Sequence, residues 1–174
     1  MTPFAEALSG GHPNSLGRTV EVVEAVLADP ARIDELFACY GAVDPVVRLR
    51  TSNALKRIEA ERRDLVLPLA DRLIGEVGAM DQPSARWTVA QLADRMWPDL
   101  TADQRAAAVA RGRAYLDAET DWIVLNAAMD LLGRRDTDTA DGIDWLRPRL
   151  DRLAGDGRKS VAGRARRWRA ALGG

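Results

Sequence analysis

Residues 44–55 read DPVVRLRTSNAL, and this stretch decides the fold. Asp44 is a residue type that caps helices, and Pro45 suits a first helical turn because an N–H there would have no partner. Small or apolar residues then fall at intervals of four, seven and eight, which is one face of a helix. That face comprises Val47, Thr51, Ala54 and Leu55. The stretch therefore predicts an amphipathic helix that buries one stripe.

The same spacing returns three times further along the chain. Its first position is taken by Val47, Ala85, Val124 and Val161, so successive copies are 38, 39 and 37 residues apart. A partner helix with its own apolar stripe is predicted between successive copies. A period of about 38 residues with two helices per unit is typical of a helical solenoid. Sustained two-residue alternation, the signal of strands, does not occur, so the sequence predicts an all-α fold of about nine helices.

The 44–55 stretch resembles the second helix of a HEAT repeat, in which an aspartate opens the turn and Val-Arg, small residues and leucine follow. The frame returns in 121–132, where Leu125 replaces the arginine. Strings such as 14–18 and 158–161 are similar to an uncharacterised group of bacterial HEAT-like proteins. The resemblance implies a right-handed α/α superhelix and carries no activity with it. We therefore expect one HEAT-like repeat domain over 14–174, preceded by a flexible segment over 1–13.

Composition removes much chemistry from consideration. The chain of 174 residues has one histidine, His12, and one cysteine, Cys39, so it lacks the ligands of ordinary zinc and iron sites. Neither a Walker phosphate loop nor a Gly-x-Ser-x-Gly nucleophile elbow occurs. We expect no catalytic residues, no cofactor and no bound metal, and hence a protein that is not an enzyme.

The location is predicted from missing signals and from charge. The first 17 residues have no basic region followed by an apolar core, as a signal peptide would. No apolar run approaches the roughly 18 residues that span a bilayer. The net charge of −1 gives no overall field that would favour nucleic acid or anionic lipid. These observations predict a cytoplasmic protein without membrane contact, and no pattern indicates an oligomeric state.

The side of the repeated helices opposite the core stripe is the concave face of a solenoid. Six residues are predicted on it: Leu49, Asn53, Trp87, Gln91, Asn126 and Asp130. Amide side chains can pair with the backbone of a bound peptide, and a tryptophan can anchor it. The face therefore predicts a protein or peptide partner. The alternative, equally open from the sequence, is that Trp87 packs against a neighbouring helix and the amides face water.

The C-terminal residues 157–174 carry six cations and no acid. The cations are Arg158, Lys159, Arg164, Arg166, Arg167 and Arg169. The simpler interpretation is a polar end cap with cations near a helix C-terminus, and the other is a docking patch for an acidic partner or nucleic acid.

A group of HEAT-like DNA glycosylases uses tryptophans, an aspartate and arginines on the concave face. This chain has Trp87, Trp122, Asp130 and Arg86 on or near its second helices, but the tryptophan–aspartate motif of that group is not reproduced. The sequence therefore predicts a non-catalytic scaffold or adaptor that binds protein or peptide. The alternative is a nucleic-acid-binding or DNA-repair module that uses the basic C-terminal end.

Overall fold

The computed structural model describes residues 3–12 and 15–173. Helices account for 80% of the structure, and the described residues contain no β-strand. The all-α class predicted from the sequence is therefore confirmed. The chain divides into two compact units, Met1–Thr88 and Val89–Gly174, where the sequence predicts one repeat domain over 14–174.

The described residues of the first unit form six complete α-helices. They are α1 (Pro3–Leu8), α2 (Thr19–Ala28), α3 (Ile33–Ala38), α4 (Pro45–Glu61), α5 (Arg63–Val66) and α6 (Ala70–Gly75). Asp44 begins α4 as predicted, because its Oδ1 accepts a hydrogen bond of 2.8 Å from the N–H of Val46. The helix predicted over 64–78 is interrupted by a 3₁₀ turn at Leu67–Leu69, where Pro68 cannot donate an N–H.

The core of the first unit forms around α4. This helix packs against α1, α2 and α5. Its predicted stripe is buried, with Val47, Thr51, Ala54 and Leu55 each at most 1% exposed. The burial of this face is the expected source of the helix's stability, since apolar area removed from water contributes roughly 25 cal/mol per Å².

Helix α1 replaces part of the flexible segment predicted over 1–13. Phe4, Ala5 and Leu8 are buried, so three side chains of this short helix belong to the core. Packing against α2 and α4 provides the stabilisation that a six-residue helix lacks in isolation. Residues 1, 2 and 13 of the predicted segment, and Asn14 in the string 14–18, lie outside the described residues.

A buried arginine on α4 holds the chain that follows α1. Arg50 is 0% exposed. Its guanidinium donates to five backbone carbonyls at 2.7–3.2 Å and to the Ser15 hydroxyl at 3.2 Å. The carbonyls belong to Leu8, Ser9, Gly10, His12 and Ser15. This carbonyl cage satisfies a buried charge with backbone dipoles, where an acidic side chain would be the usual partner.

Five helices follow the 3₁₀ turn at Val77–Ala79. They are α7 (Pro83–Met96), which contains the boundary between the units, α8 (Ala102–Ala118), α9 (Trp122–Arg135), α10 (Ala140–Leu153) and α11 (Lys159–Ala171). Helix α8 begins with a capping box in which Thr101 and Gln104 satisfy each other's backbone N–H groups. Helix α10 begins three residues before the predicted Ile143, because the Thr139 hydroxyl accepts from the N–H of Gly142 and caps it.

The core of the second unit forms around α9, which packs against both α8 and α11. Buried residues on it run without a break from Val124 to Met129 and again from Leu131 to Gly133. The predicted stripe is again buried, at Val124, Ala128, Leu131 and Leu132 of α9 and at Val161 and Ala165 of α11. Two neighbouring helices cover more of α9 than one amphipathic stripe requires.

A search of the described residues for a helix that could cross a bilayer found none with enough length and apolar character.

Candidate functional site

A cleft of about 300 Å³ lies along α9 in the second unit. Its walls come from α9, from the end of α7 between Ala90 and Arg95, and from Arg164 of α11. Four lining residues are spaced four apart on one face of α9: Trp122, Asn126, Asp130 and Arg134. Twelve residues of helix extend about 18 Å, so this face runs the length of α9. The two ends of this face differ in polarity: the Trp122 end is apolar and the Arg134 end is charged.

The apolar end of the cleft presents Trp122. This side chain is 48% exposed, and it is the one exposed tryptophan of the five in the chain. It occupies the first position of α9 because Asp121 caps the helix, accepting from the N–H groups of Ile123 and Val124 at 2.8 and 3.1 Å. An exposed indole at the edge of a cleft offers apolar area and an N–H donor to a partner.

The middle of the cleft contains a buried polar group without a partner. Asn126 is only 7% exposed, and its Oδ1 accepts no hydrogen bond from the described residues. Leaving such an acceptor unsatisfied costs about 1–3 kcal/mol, so native structures rarely keep one. The sequence predicts an exposed Asn126 on an open face; the structure places it in the lining of the cleft but buries its side chain, so the predicted exposure is wrong.

Asp130 organises the charged end of the cleft. Arg164 donates to its Oδ2, and Arg167 donates to its Oδ1 at 2.6 Å. The indole N–H of Trp168 donates to the same Oδ1 at 2.9 Å. Because the ring of Trp168 also lies against Gly133, this carboxylate ties α11 to α9. Asp130 is therefore a structural centre as well as a lining residue.

Asp94 on α7 plays the corresponding role on the other side of the charged end. Arg134 donates to its Oδ2, and Arg135 donates to its Oδ1 at 2.8 Å and to its backbone carbonyl at 3.2 Å. Asp94 is not among the residues singled out from the sequence. The sequence signal for such a partner was the pair of consecutive arginines at the C-terminus of α9, because arginines there can donate to acceptors on a neighbouring helix.

The structure brings together three of the six residues predicted on the concave face. Gln91, Asn126 and Asp130 all line the cleft along α9. Leu49, Asn53 and Trp87 belong to the first unit, where each is half-buried, and they do not line this cleft. The tryptophan that the cleft presents is Trp122 rather than Trp87.

The predicted basic patch is largely engaged within its own unit. Arg166 donates to the Ala154 carbonyl and Arg169 to Asp151, at 2.9 and 2.7 Å. Arg158 donates to Asp156 through its side chain and its backbone N–H, which together lower the pKa of that carboxyl to about 2. Lys159 is exposed. These contacts fit the interpretation of a polar end cap better than that of an open docking patch.

The cleft is lined by an indole, two amides, two paired carboxylates and several arginines. In the part of the chain that the structure describes, no three His, Cys, Asp or Glu side chains are grouped so that they could hold a metal ion. Cys39 is buried in the first unit, and its Sγ is 3.5 Å from the carbonyl oxygen of Glu35.

Comparisons of the chain with protein-family models, with curated proteins and with solved structures found no match. The resemblance to HEAT repeats therefore stays a prediction. The functional assignment rests on the sequence pattern and on the geometry of the cleft along α9.

Proposed function

We propose that this chain is a HEAT-like helical repeat protein, not an enzyme, and that it binds a peptide segment of a protein partner in the cleft along α9. The proposal includes the right-handed α/α superhelix and the cytoplasmic location expected from the sequence. The repeated period supports the fold. In the four repeated helices, the first position of the spacing and the position four residues later are always buried. The first position is occupied by Val47, Ala85, Val124 and Val161, and the later one by Thr51, Val89, Ala128 and Ala165.

The observation that carries the proposed function is the exposed indole of Trp122 at the edge of a cleft that Asn126 also lines. The Oδ1 of Asn126 is buried without a hydrogen-bond partner, so this amide contributes to the wall of the cleft that a peptide would meet. The exposed indole of Trp122 lies one turn away on the same helix face and can hold an apolar side chain of the same peptide. A tryptophan of this kind is typical of residues that dominate binding energy.

The engagement of the C-terminal arginines supports a protein partner over nucleic acid. A surface that binds a phosphate backbone requires several cations whose charge is available to the phosphates. Here Arg158 and Arg169 are each paired with one acid, Asp156 and Asp151, and Arg164 and Arg167 share Asp130, so only one of these four charges is uncompensated. The net charge of −1 provides no further attraction for a polyanion.

The test is the selection of random peptides displayed on phage against the full chain, followed by fluorescence-anisotropy titration of the selected peptides. Trp122→Ala is expected to weaken their binding by about 2 kcal/mol, the effect of losing a tryptophan anchor. The control is Val43→Ala in the first unit, which removes an exposed apolar side chain outside the cleft and should leave the affinity unchanged. Labelled single-stranded and duplex DNA are titrated in parallel.

Failure to select any binding peptide, or equal affinities for the wild type and Trp122→Ala, would overturn the proposal. Tight binding of the DNA probes without peptide binding would favour the nucleic-acid alternative. The melting temperatures of both variants show whether either substitution changes the fold. Because Trp122 is half-exposed, Trp122→Ala is expected to lower the free energy of unfolding by less than about 1 kcal/mol.

A further inference from the structure

The charged end of the cleft along α9 contains more arginine than aspartate. Asp94 is paired with Arg134 and Arg135, and Asp130 is paired with Arg164 and Arg167. Two carboxylates therefore face four guanidinium groups. After internal pairing, a positive charge of about two remains on these groups.

The arginines that line the cleft also retain hydrogen-bonding capacity. A guanidinium group carries five N–H donors in a planar fork. Among the described residues, Arg134 donates one hydrogen bond, to Asp94, and Arg164 donates one, to Asp130. The described residues provide no acceptor for their remaining N–H groups. A carboxylate is the acceptor that matches the fork of an arginine best, because two parallel N–H···O bonds can form.

We propose that the charged end of the cleft binds the carboxylate of a glutamate or aspartate in the partner peptide, with Arg134 and Arg164 as the donors. This inference rests on the proposed function, and it specifies the partner as an acidic peptide segment. The Trp122 end takes an apolar side chain of the same segment.

The dimensions of the cleft fix the spacing of the two side chains. Trp122 and Asp130, the residue that holds Arg164, are eight residues apart on α9, or about 12 Å. Arg134 is about 18 Å from Trp122 along the same helix. An extended peptide advances about 3.3 Å per residue, so the acidic residue should lie four to five positions from the apolar one.

The test uses the peptides selected against the full chain. We expect enrichment of Glu or Asp at four to five positions from an enriched apolar residue. In the tightest peptide, replacing that Glu by Gln should weaken binding on the order of tenfold, the effect of losing a charge-assisted hydrogen bond. Changing the peptide leaves the protein untouched, so folding does not enter this comparison.

The matching protein variants are Arg134→Gln and Arg164→Gln, alone and together. In the double variant the Glu and Gln peptides should bind equally, which completes a double-mutant cycle. Arg166→Gln is the control, since Arg166 lies two residues after Arg164 on α11 and does not line the cleft. It should leave the tenfold preference for the Glu peptide unchanged.

Three outcomes would overturn the inference, and they differ in what they mean for the proposed function. Peptides that depend on Trp122 but show no acidic enrichment and no loss on Glu→Gln would leave the proposed function intact. Selection of no binding peptide would overturn both. A single-stranded DNA probe that displaces the peptide and loses its own binding in the Arg134→Gln/Arg164→Gln variant would show that phosphate, and not carboxylate, is the ligand.

Discussion

The guanidinium group of Arg50 lies against Gly17 so closely that no other residue fits there. A Cβ atom built on Gly17 would be 2.8 Å from both Cζ and Nη1 of Arg50. Gly17 also has a φ of +52°, in the left-handed region that favours glycine. The chain between α1 and α2 therefore closes over the arginine at a position where its backbone can approach most closely.

Arg50→Met is expected to destabilise the protein by about 3–5 kcal/mol. The substitution keeps the length of the side chain but leaves the carbonyls of the cage without their donor, and each buried unsatisfied acceptor is costly. Urea denaturation gives the free energy of unfolding. Arg57→Met is the control, because Arg57 is an exposed residue of the same helix, and its cost should be below about 0.5 kcal/mol. Equal effects of the two variants would contradict the structural role of the cage.

Gly133→Ala is expected to destabilise the protein by about 1–3 kcal/mol. A Cβ atom at this position would lie 2.3 Å from the Trp168 ring, so α11 would have to move. Gly163→Ala is the matched change on α11, where nothing lies within 4 Å of the new atom. That variant should gain about 0.5–1 kcal/mol, since alanine is the better helix former. The melting temperatures of the two variants should shift in opposite directions from that of the wild type.

Asn126→Leu is expected to raise the stability by about 1 kcal/mol and to weaken peptide binding, because it changes the shape of the cleft wall. The amide is buried without a partner for Oδ1, so an apolar side chain removes a desolvation cost. A rise in stability on substitution is typical of residues that serve function at the expense of stability. Thr88→Val is the control, since Thr88 has the other buried unpartnered side-chain oxygen among the described residues. It should raise the melting temperature without affecting peptide binding, and a destabilised Asn126→Leu variant would contradict the assignment.

The carboxyl group of Asp156 is expected to titrate at a pKa of about 2 in the folded protein, because Arg158 donates to it from both side chain and backbone. A pKa lowered by folding means that the pair stabilises the native state above the ordinary value of 3.8, and that this contribution is lost as the pH falls towards 2. Carbon-detected NMR of the carboxyl group measures the midpoint. Arg158→Ala should raise it towards 3.8, whereas Arg166→Ala should not.

The helices could be predicted because their signals are local. Asp44 caps a helix at the position where the sequence places it, and Thr101 and Asp121 cap helices in the same way, since each cap needs only the next two or three residues. The core stripes follow from the same logic, since residues at intervals of four, seven and eight share a face whatever the helix packs against. Each of the nine predicted helical regions accordingly contains helix in the structure.

The parts that could not be predicted depend on contacts between distant residues. Arg50 looks like a surface residue in the sequence, and its acceptors lie 35–42 positions away in the chain. Asn126 lies opposite the core stripe of α9, but a helical projection cannot show that residues of α7 and α11 also border that side. The pairing of Asp130 with Arg164 joins a residue of the predicted concave face to one of the predicted basic patch, which the sequence treats separately.

The carbonyl cage around Arg50 holds the chain after α1 through hydrogen bonds whose acceptors do not respond to acid. The guanidinium group keeps its charge throughout the range in which proteins fold, and backbone carbonyls do not titrate. Pairs such as Arg158 with Asp156 lose their charge in strong acid, and mobile salt ions weaken them because they are exposed. A fully buried side chain with neutral acceptors escapes both effects. The hydrogen bonds from Arg50 to the carbonyls of Leu8, His12 and Ser15 should thus persist in acid or at high salt that has already broken the surface ion pairs.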